Sequence, residues 1–414
     1  MSDRIVSRWA NAKLTDVAQV WFSGVDKKSS PDEESIRLCN YVDVFRNREI
    51  RMQIDFMKAT ATKDEIKRNR LLEGDVVFTK DSETSSDIAQ CAFVAESSND
   101  LVCGYHLAIA RPDSTRLLGS YLAFLMRFPR VRQQLVRSAN GVVRYGLTMD
   151  AISDFTIALP SVDEQRRIVN ILNTWDKAIE NIDRLILLRK KNLTSTSTKI
   201  LWEDRDDWRP LSDYIEPSRD RVGNNRSLEV YSVTRDGLKP QLEQFNKRIA
   251  NEDIARHMLL KPNEFALSGL NFWLGSVAVS HLKHDVCISP DYKVFRFKPT
   301  ASAEYFRHLV RTAGFREILS SCSTERASVV RKNFNRELFL ESEVPVPPLA
   351  EQEKRATILN AVAFELRKTE AYRALLENQK RGLMQKLLTG EWRLDERFDA
   401  EALSPRPLNV GGRS

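Results

Sequence analysis

The stretch VPVPPLAEQEKRATIL, Val344 to Leu359, occurs in the chain in an earlier form. Ile157 to Leu172 reads IALPSVDEQRRIVNIL, and laid over each other the two place Glu164-Gln165 on Glu351-Gln352. They also place Ile171, Leu172 and Asn173 on Ile358, Leu359 and Asn360, an offset of 187 residues. A short recurring loop and a duplicated protein make different predictions. Only a duplication carries the match outward in both directions.

The match does extend. At the same offset, Val142-Val143-Arg144 falls on Val329-Val330-Arg331, and YHLAIARP (Tyr105 to Pro112) falls on YKVFRFKP (Tyr292 to Pro299). YLAFLMRFPRVRQQL (Tyr121 to Leu135) falls on YFRHLVRTAGFREIL (Tyr305 to Leu319) at an offset of 184. GDVVFTK (Gly74 to Lys80) lies over NEFALSG (Asn263 to Gly269) at 189. Matches in one order with a drifting offset describe a unit copied once and then altered by loop insertions. At the edges, Trp9 precedes LTDVAQV, Trp208 precedes LSDYIEP, and Trp392 stands in GEWRLDE. The third tryptophan marks where another copy would begin. A cyclic arrangement, with the C-terminal segment against the N-terminal one, is therefore expected.

Each unit has a mixed part followed by a helical part. Short strands such as Asp75 to Thr79 alternate with amphipathic helices such as Tyr121 to Leu135, which reads as α+β. In the helical part, Ile168, Leu172, Trp175, Ile179, Ile182 and Ile186 recur four and three apart, the spacing of a coiled-coil seam. In the second copy Leu359, Val362 and Leu366 begin the pattern, Arg373 and Lys380 interrupt it, and Leu376, Leu383 and Leu387 complete it. Pro160 and Pro347-Pro348 stand just before the helices, where a missing N–H costs nothing. Asp163, Glu164 and Glu351 suit the positive end of a helix. From Val162 to Leu201 such a helix extends about 60 Å at 1.5 Å per residue. The weak helix formers Thr194 to Thr198 are expected to fray or bend it. A helix with one narrow apolar seam needs a partner, and each helix is the partner available to the other. The boundaries read as a first globular domain over 1–160, a helix over 161–204, a second globular domain over 205–347, a helix over 348–391 and a tail over 392–414.

The chain of 414 residues carries 64 Lys+Arg against 57 Asp+Glu, a net charge of +7, which permits a polyanionic partner without requiring one. No apolar run is long enough to span a membrane, and the N-terminus lacks the apolar core of a signal peptide, so cytoplasmic residence is expected. The five cysteines are scattered with no C-x-x-C, and His281 and His284 have no further ligand at suitable spacing, so no metal is expected. DSETSSD (Asp81 to Asp87) reads as a polar loop. There is no phosphate-cradling G-x-x-x-x-G-K-[ST], no G-x-G-x-x-G turn, no nucleophile elbow and no tetrapeptide of the kind that holds a flipped base. An independent catalyst is not expected. Two globular domains on a rigid spacer suit a bivalent reader. On DNA, about 60 Å of rod keeps the two contacted patches within roughly 17 base pairs.

The hinges LPSVDEQRRIVNIL and VPPLAEQEKRATIL, the ending LMQKLLTGEWRL, and GDVVFTKDSET with LVCGYHLAIARP together resemble the specificity subunit of a Type I restriction–modification system. The resemblance covers nearly the whole chain. It implies two tandem target-recognition domains, each reading half of a split double-stranded DNA sequence, joined by two long helices packed as an antiparallel coiled coil in a pseudo-two-fold repeat. It implies a non-catalytic chain. Two modification subunits would carry S-adenosylmethionine chemistry on adenine, and restriction subunits would add translocation and cleavage driven by ATP with Mg. No cofactor is implied for this chain. A protein–protein scaffold with two peptide-binding domains is the alternative, and it would lack salt-dependent DNA binding.

Readout of base edges requires Arg, Lys, Asn, Gln or Ser on loops. Arg144 with Asn140 and Tyr145, and Arg331 with Lys332, occupy equivalent places between the last small helix of each domain and its hinge. They are the first candidates for DNA contact, against the plainer reading of a buried strand ending in a solvated arginine. Lys80, Ser82 and Thr84, and Ser268 and Asn271, follow the matched strands and are loop candidates. Arg127 with Arg132, and Arg311 with Arg316, read as a solvated helix face.

Overall fold

The computed structural model describes residues 9–141, 143–202, 208–223, 228–241, 254–324 and 333–394. They group into two units, one of residues 1–181 with 374–414 and one of residues 182–373. Each unit is a mixed α/β domain plus one part of each long helix.

In unit 1 the strand Ala10–Lys13 pairs antiparallel with Thr156–Leu159, so the domain closes on itself just before its hinge. In unit 2 Trp208–Pro210 pairs in the same way with Glu343–Pro345. The main sheet of unit 1 runs in the order Ala18–Phe22, Leu107–Pro112, Val76–Thr79, Cys91–Val94, Glu49–Ile50. The main sheet of unit 2 runs Ile215–Ser218, Lys293–Phe297, Phe265–Leu267, Val277–Val279. The first four strands therefore repeat in order, and the middle two, Leu107–Pro112 with Lys293–Phe297 and Val76–Thr79 with Phe265–Leu267, are strands that the sequence offsets align. The smaller sheets differ. Unit 1 has three strands there (Met57–Ala61, Glu34–Cys39, Leu101–Cys103), and unit 2 has four (Gly237–Pro240, Val230–Thr234, Val286–Ile288, Met258–Leu260).

Tyr121 and Tyr305, matched in sequence, are both fully buried. The Tyr121 hydroxyl donates to the Ala158 carbonyl (3.3 Å) and that of Tyr305 to the Pro345 carbonyl (2.7 Å). Each tyrosine thus fills its core while its polar tip fixes the closing strand.

The repeated Glu-Gln begins each long helix, Val162–Trp202 and Leu349–Leu388. Gln165 and Gln352 are both 0% exposed. The Gln165 Nε2 donates to the carbonyls of Arg116 (2.8 Å) and Pro160 (3.0 Å), and its Oε1 accepts from the Leu118 N–H (2.8 Å). Gln352 does the same with Thr300 (3.0 Å), Pro347 (2.8 Å) and the Ser302 N–H (2.8 Å). Only an amide side chain offers two donors and an acceptor at this reach. Each glutamine fastens a hinge and a helix start to the loop before its domain's helix pair.

Along the first long helix Ile168, Leu172, Ile179 and Ile186 are buried, while Trp175 and Ile182 are half-buried. On the second, Leu359, Leu366, Leu376 and Leu387 are buried, Val362 and Leu383 are half-buried, and Ala356 and Ala363 join the buried face. The polar interruptions have partners. In unit 2 Arg373 pairs with Asp183, Arg189 with Glu365 (2.9 Å), and the Arg355 guanidinium donates to the Ile200 carbonyl (2.9 Å). Residue numbers rise on one helix as they fall on the other, so the helices run antiparallel there. In unit 1 the Lys380 Nζ lies 2.5 Å from Asp176 Oδ1, with both residues buried. Arg48 of the mixed α/β domain pairs with the same carboxylate. The Thr194 to Thr198 tract does not end the first helix. The Thr194 and Thr198 hydroxyls donate to the carbonyls of Lys190 (3.0 Å) and Thr194 (3.1 Å), four residues back.

The expected closure of the C-terminal segment is present within unit 1. Gly390, at φ +71, turns the chain after the second helix, and an added Cβ would meet the Trp9 ring at 3.1 Å. Leu387, Leu388 and Leu394 share one core with Trp9, Leu14 and Ile168. The five cysteines are buried free thiols.

Replacing Gln352 by Leu should remove three hydrogen bonds and strand their buried partners, costing roughly 2–4 kcal/mol in denaturant titration. Glu353→Leu, at an exposed neighbouring position, should cost far less. Equal costs would remove the glutamine's special role. At Lys380, burial and then the guanidiniums of Arg48 and Arg127 pull the ammonium from 10.5 to about 7, against the carboxylates of Glu180 and Glu377. The unfolded chain then holds that proton more tightly, so stability rises as pH climbs from about 7 toward 10. Lys380→Met should lose that slope while Asp176 keeps Arg48, and a slope preserved in the variant would contradict this.

Candidate nucleic-acid interface

In unit 1 the strand Val76–Thr79 leads into Lys80 and Asp81, and the short strand Asp81–Ser82 pairs with Tyr145–Gly146. The register sets Tyr145 opposite Ser82. Asn140 exchanges backbone hydrogen bonds with Gly146 (3.0 and 2.8 Å). Between them Gly141 sits at φ +143, and any Cβ there would overlap the Arg144 carbonyl. This tight turn, open to glycine alone, folds Arg144 back over the strand.

The turn and pairing bring six sequence candidates to one edge of the domain, two of them, Lys80 and Arg144, in contact with one carboxylate. Asp81 accepts from Lys80 Nζ (2.7 Å) and Arg144 Nη2 (2.8 Å) and lies 2.5 Å from His106 Nδ1. Burial pushes the Asp81 carboxyl up, but contact with Lys80 and His106 outweighs it and holds the group below the usual carboxylate range. Burial lowers the His106 imidazole, Asp81 opposes that, and Arg144 and Lys80 reinforce it. Lys80 also stands 5.6 Å from the centre of the Phe22 ring. The Ser82 hydroxyl is buried beside that of Tyr41 (3.2 Å), and exposed Thr84 bonds Asp87 (2.6 Å). Arg144, with its side chain 55% exposed, is the outermost member. The patch is a cationic rim on a half-buried acidic post, with Tyr145 and Asn140 beside it.

Unit 2 places its candidates differently. Ser268 is 3% exposed, its hydroxyl accepting from the Asn271 N–H (3.2 Å) and lying against Tyr292. Asn271 is exposed at the start of the turn Phe272–Leu274. Arg331 and Lys332 lie outside the described residues. A cavity of about 310 Å³ opens nearby, lined by Arg219, Arg221, Tyr292, Lys293 and Arg336 among others. Sequence reasoning missed Asp81, Tyr105 and His106, and with them Tyr292 and Lys293. The repeat held the signal, since Tyr292-Lys293 falls on Tyr105-His106.

Of the arginines read as a solvated helix face, Arg311 and Arg316 are exposed and Arg127 and Arg132 half-buried, and three of the four also satisfy loop carbonyls. Arg127 donates to the Arg48 carbonyl, Arg132 to that of Ile88 (2.9 Å) and Arg311 to that of Arg235 (2.6 Å). Arg316 packs its stem on Gly275. They face the domain because loops leave carbonyls there that need donors. His281 and His284 lie in the loop after Val277–Val279 and share no helix face. Among the described residues no group of three His, Cys, Asp or Glu could hold a metal, and no helix is long and apolar enough to cross a membrane.

Asp81→Asn should lower the His106 pKa further, because it removes the opposing charge while burial stays. An NMR titration of the ring checks this, and an unchanged or raised value would contradict the geometry.

Known proteins share this fold. Residues 7–189 match the family described as Type I restriction modification DNA specificity domain. The putative type I restriction enzyme MjaX specificity subunit of Methanocaldococcus jannaschii is 22% identical, over 93% of this chain and 94% of that protein. A chain solved in work on assembly and conformational transition of the type I R-M system has a TM-score of 0.60 at 16% identity, covering 93% of this chain and 98% of that one. The S subunit of the type I system of M. genitalium has a TM-score of 0.50 at 11% identity, covering 94% and 98%. With the repeated hinge and the repeated sheet order, these likenesses make the chain similar to the specificity subunits of type I restriction–modification systems.

Proposed function

We propose that this chain reads a bipartite double-stranded DNA sequence, each unit engaging one half, and performs no chemistry itself. It would recruit two modification subunits, which bind S-adenosylmethionine and methylate adenine, and restriction subunits that use ATP and Mg. The observation that carries the reading is the repeat. One chain holds two domains with the same main-sheet order, each tied by the same glutamine to a long helix.

In unit 1 the Arg144 rim supplies what a DNA reader needs, an exposed guanidinium held in place by a half-buried carboxylate with Lys80, Asn140 and Tyr145 alongside. Exposed apolar side chains on the helices favour partner docking. Leu187, Leu188 and Phe364 are each more than half exposed in unit 2, as is Leu375 in unit 1. Large apolar groups left in water along a helix mark an association surface.

The test is methyladenine mapping across a genome, with and without this chain, in cells supplying the modification subunits. A split motif that appears only with the chain is expected. Arg144→Ala should then weaken binding to that motif about tenfold while the complex still assembles. A chain that assembles with partners but gives no methylation pattern and no salt-dependent DNA binding would be a protein scaffold instead.

A further inference from the structure

Among the described residues unit 2 shows no counterpart of the Asp81 arrangement, and its own cationic groups are grouped elsewhere. The cavity of about 310 Å³ is lined by Arg219 and Arg221 after the strand Ile215–Ser218, by Tyr292 and Lys293 at the start of Lys293–Phe297, and by Arg336 at the start of the helix Arg336–Glu341. Three elements far apart in sequence thus bring four cations to one opening.

Their pairing sets them apart from other basic residues of the unit. Lys261 and Arg296 are neutralised by Asp220, and Arg296 also by Glu264 (3.1 Å). Arg219, Lys293 and Arg336 have no carboxylate within ion-pair distance among the described residues, and Arg221 donates only to the Arg256 carbonyl there. Arg219, Arg221 and Arg336 are exposed. Uncompensated like charges around one cavity repel one another, a cost that a bound anion removes. The position is also telling, because Tyr292-Lys293 occupies the place that Tyr105-His106 takes in unit 1, beside the Arg144 rim. Tyr292 is steadied by Ser268, which makes that buried serine a positioning residue.

Resting on the reading above, we propose that this cleft is where unit 2 grips the phosphate backbone of its DNA half-site, through Arg219, Arg221, Lys293 and Arg336. The groups favour phosphate over base edges. They are flexible cations around an open mouth, with none of the fixed amide pairs that read a base. Repetition of the fold thus preserves the place of DNA contact while the residues change.

The experiment uses the complex with its modification subunits and two duplexes, one with the mapped split motif and one without. Arg219→Gln with Arg336→Gln keeps most of each side-chain stem and removes two charges. Affinity should fall about tenfold or more at low salt on both duplexes. The slope of log affinity against log salt should become shallower by about 0.9 for each phosphate that the variant no longer neutralises. Melting temperature and assembly should match the parent. An unchanged slope overturns the proposal, and so does loss of sequence preference at the second half-site with the slope intact, which means base readout. Loss of assembly with DNA slope intact overturns it in favour of a protein-docking face. If the parent complex itself shows no split-motif binding, the functional reading fails, which is a separate result.

Discussion

Two buried amide groups decide how the rest of this protein can be arranged. Gln165 and Gln352 each spend all three of their hydrogen bonds joining a hinge, a helix start and a domain loop. A long helix could leave a domain at many angles if apolar packing alone held it, because packing is non-directional. Hydrogen bonds fixed at both donor and acceptor ends are directional. The amide therefore converts a flexible proline-containing linker into a fixed exit. The flanking prolines, Pro160 and Pro347, contribute the carbonyls that it grips.

The paired charges along the helices act in the same sense. A seam of leucine and isoleucine tolerates a slip of one heptad, since every layer resembles the next. Lys380 faces Asp176 in unit 1 as a buried pair, and Arg373 faces Asp183 in unit 2 as an exposed one. Buried charge left unpaired is costly, so the Lys380–Asp176 contact rejects wrong registers more than it adds stability. Arg48 reaches the same Asp176 from the mixed α/β domain, which ties the unit 1 domain to that register.

Much of the fold was legible because it is written twice. The hinge, Tyr121 with Tyr305, and the middle two main-sheet strands announced themselves as echoes at nearly constant spacing. The apolar seam was legible from its period, and Ile168, Leu172 and Leu359 lie where that period puts them. Lys380 and Arg373 read as interruptions, because one helix's sequence does not reveal which acid faces it on the other. The candidate interface was half legible. Arg144, Lys80, Asn140 and Tyr145 were found by the repeat, but Asp81, which holds Arg144 and Lys80, was hidden in an ordinary polar loop. In unit 2 Ser268 follows a matched strand yet is buried, because the serine hydroxyl there caps a turn. Loop residues such as Arg219 and Arg336 follow no period, and only the folded chain brings them together.

The division of the chain between its units has a consequence for its biosynthesis. Unit 2 is one continuous segment, residues 182–373, whereas unit 1 needs residues 374–394 to finish the core that contains Trp9 and Leu14. A ribosome delivers the chain in order, so the domain translated first is the one completed last. Until then the faces that Leu387 and Leu388 will cover stand open, with pairings that span nearly the whole sequence still to form. Unit 1 is therefore the slow, vulnerable half of folding, and truncation shortly before residue 374 would spare the younger domain while leaving the older one unfinished.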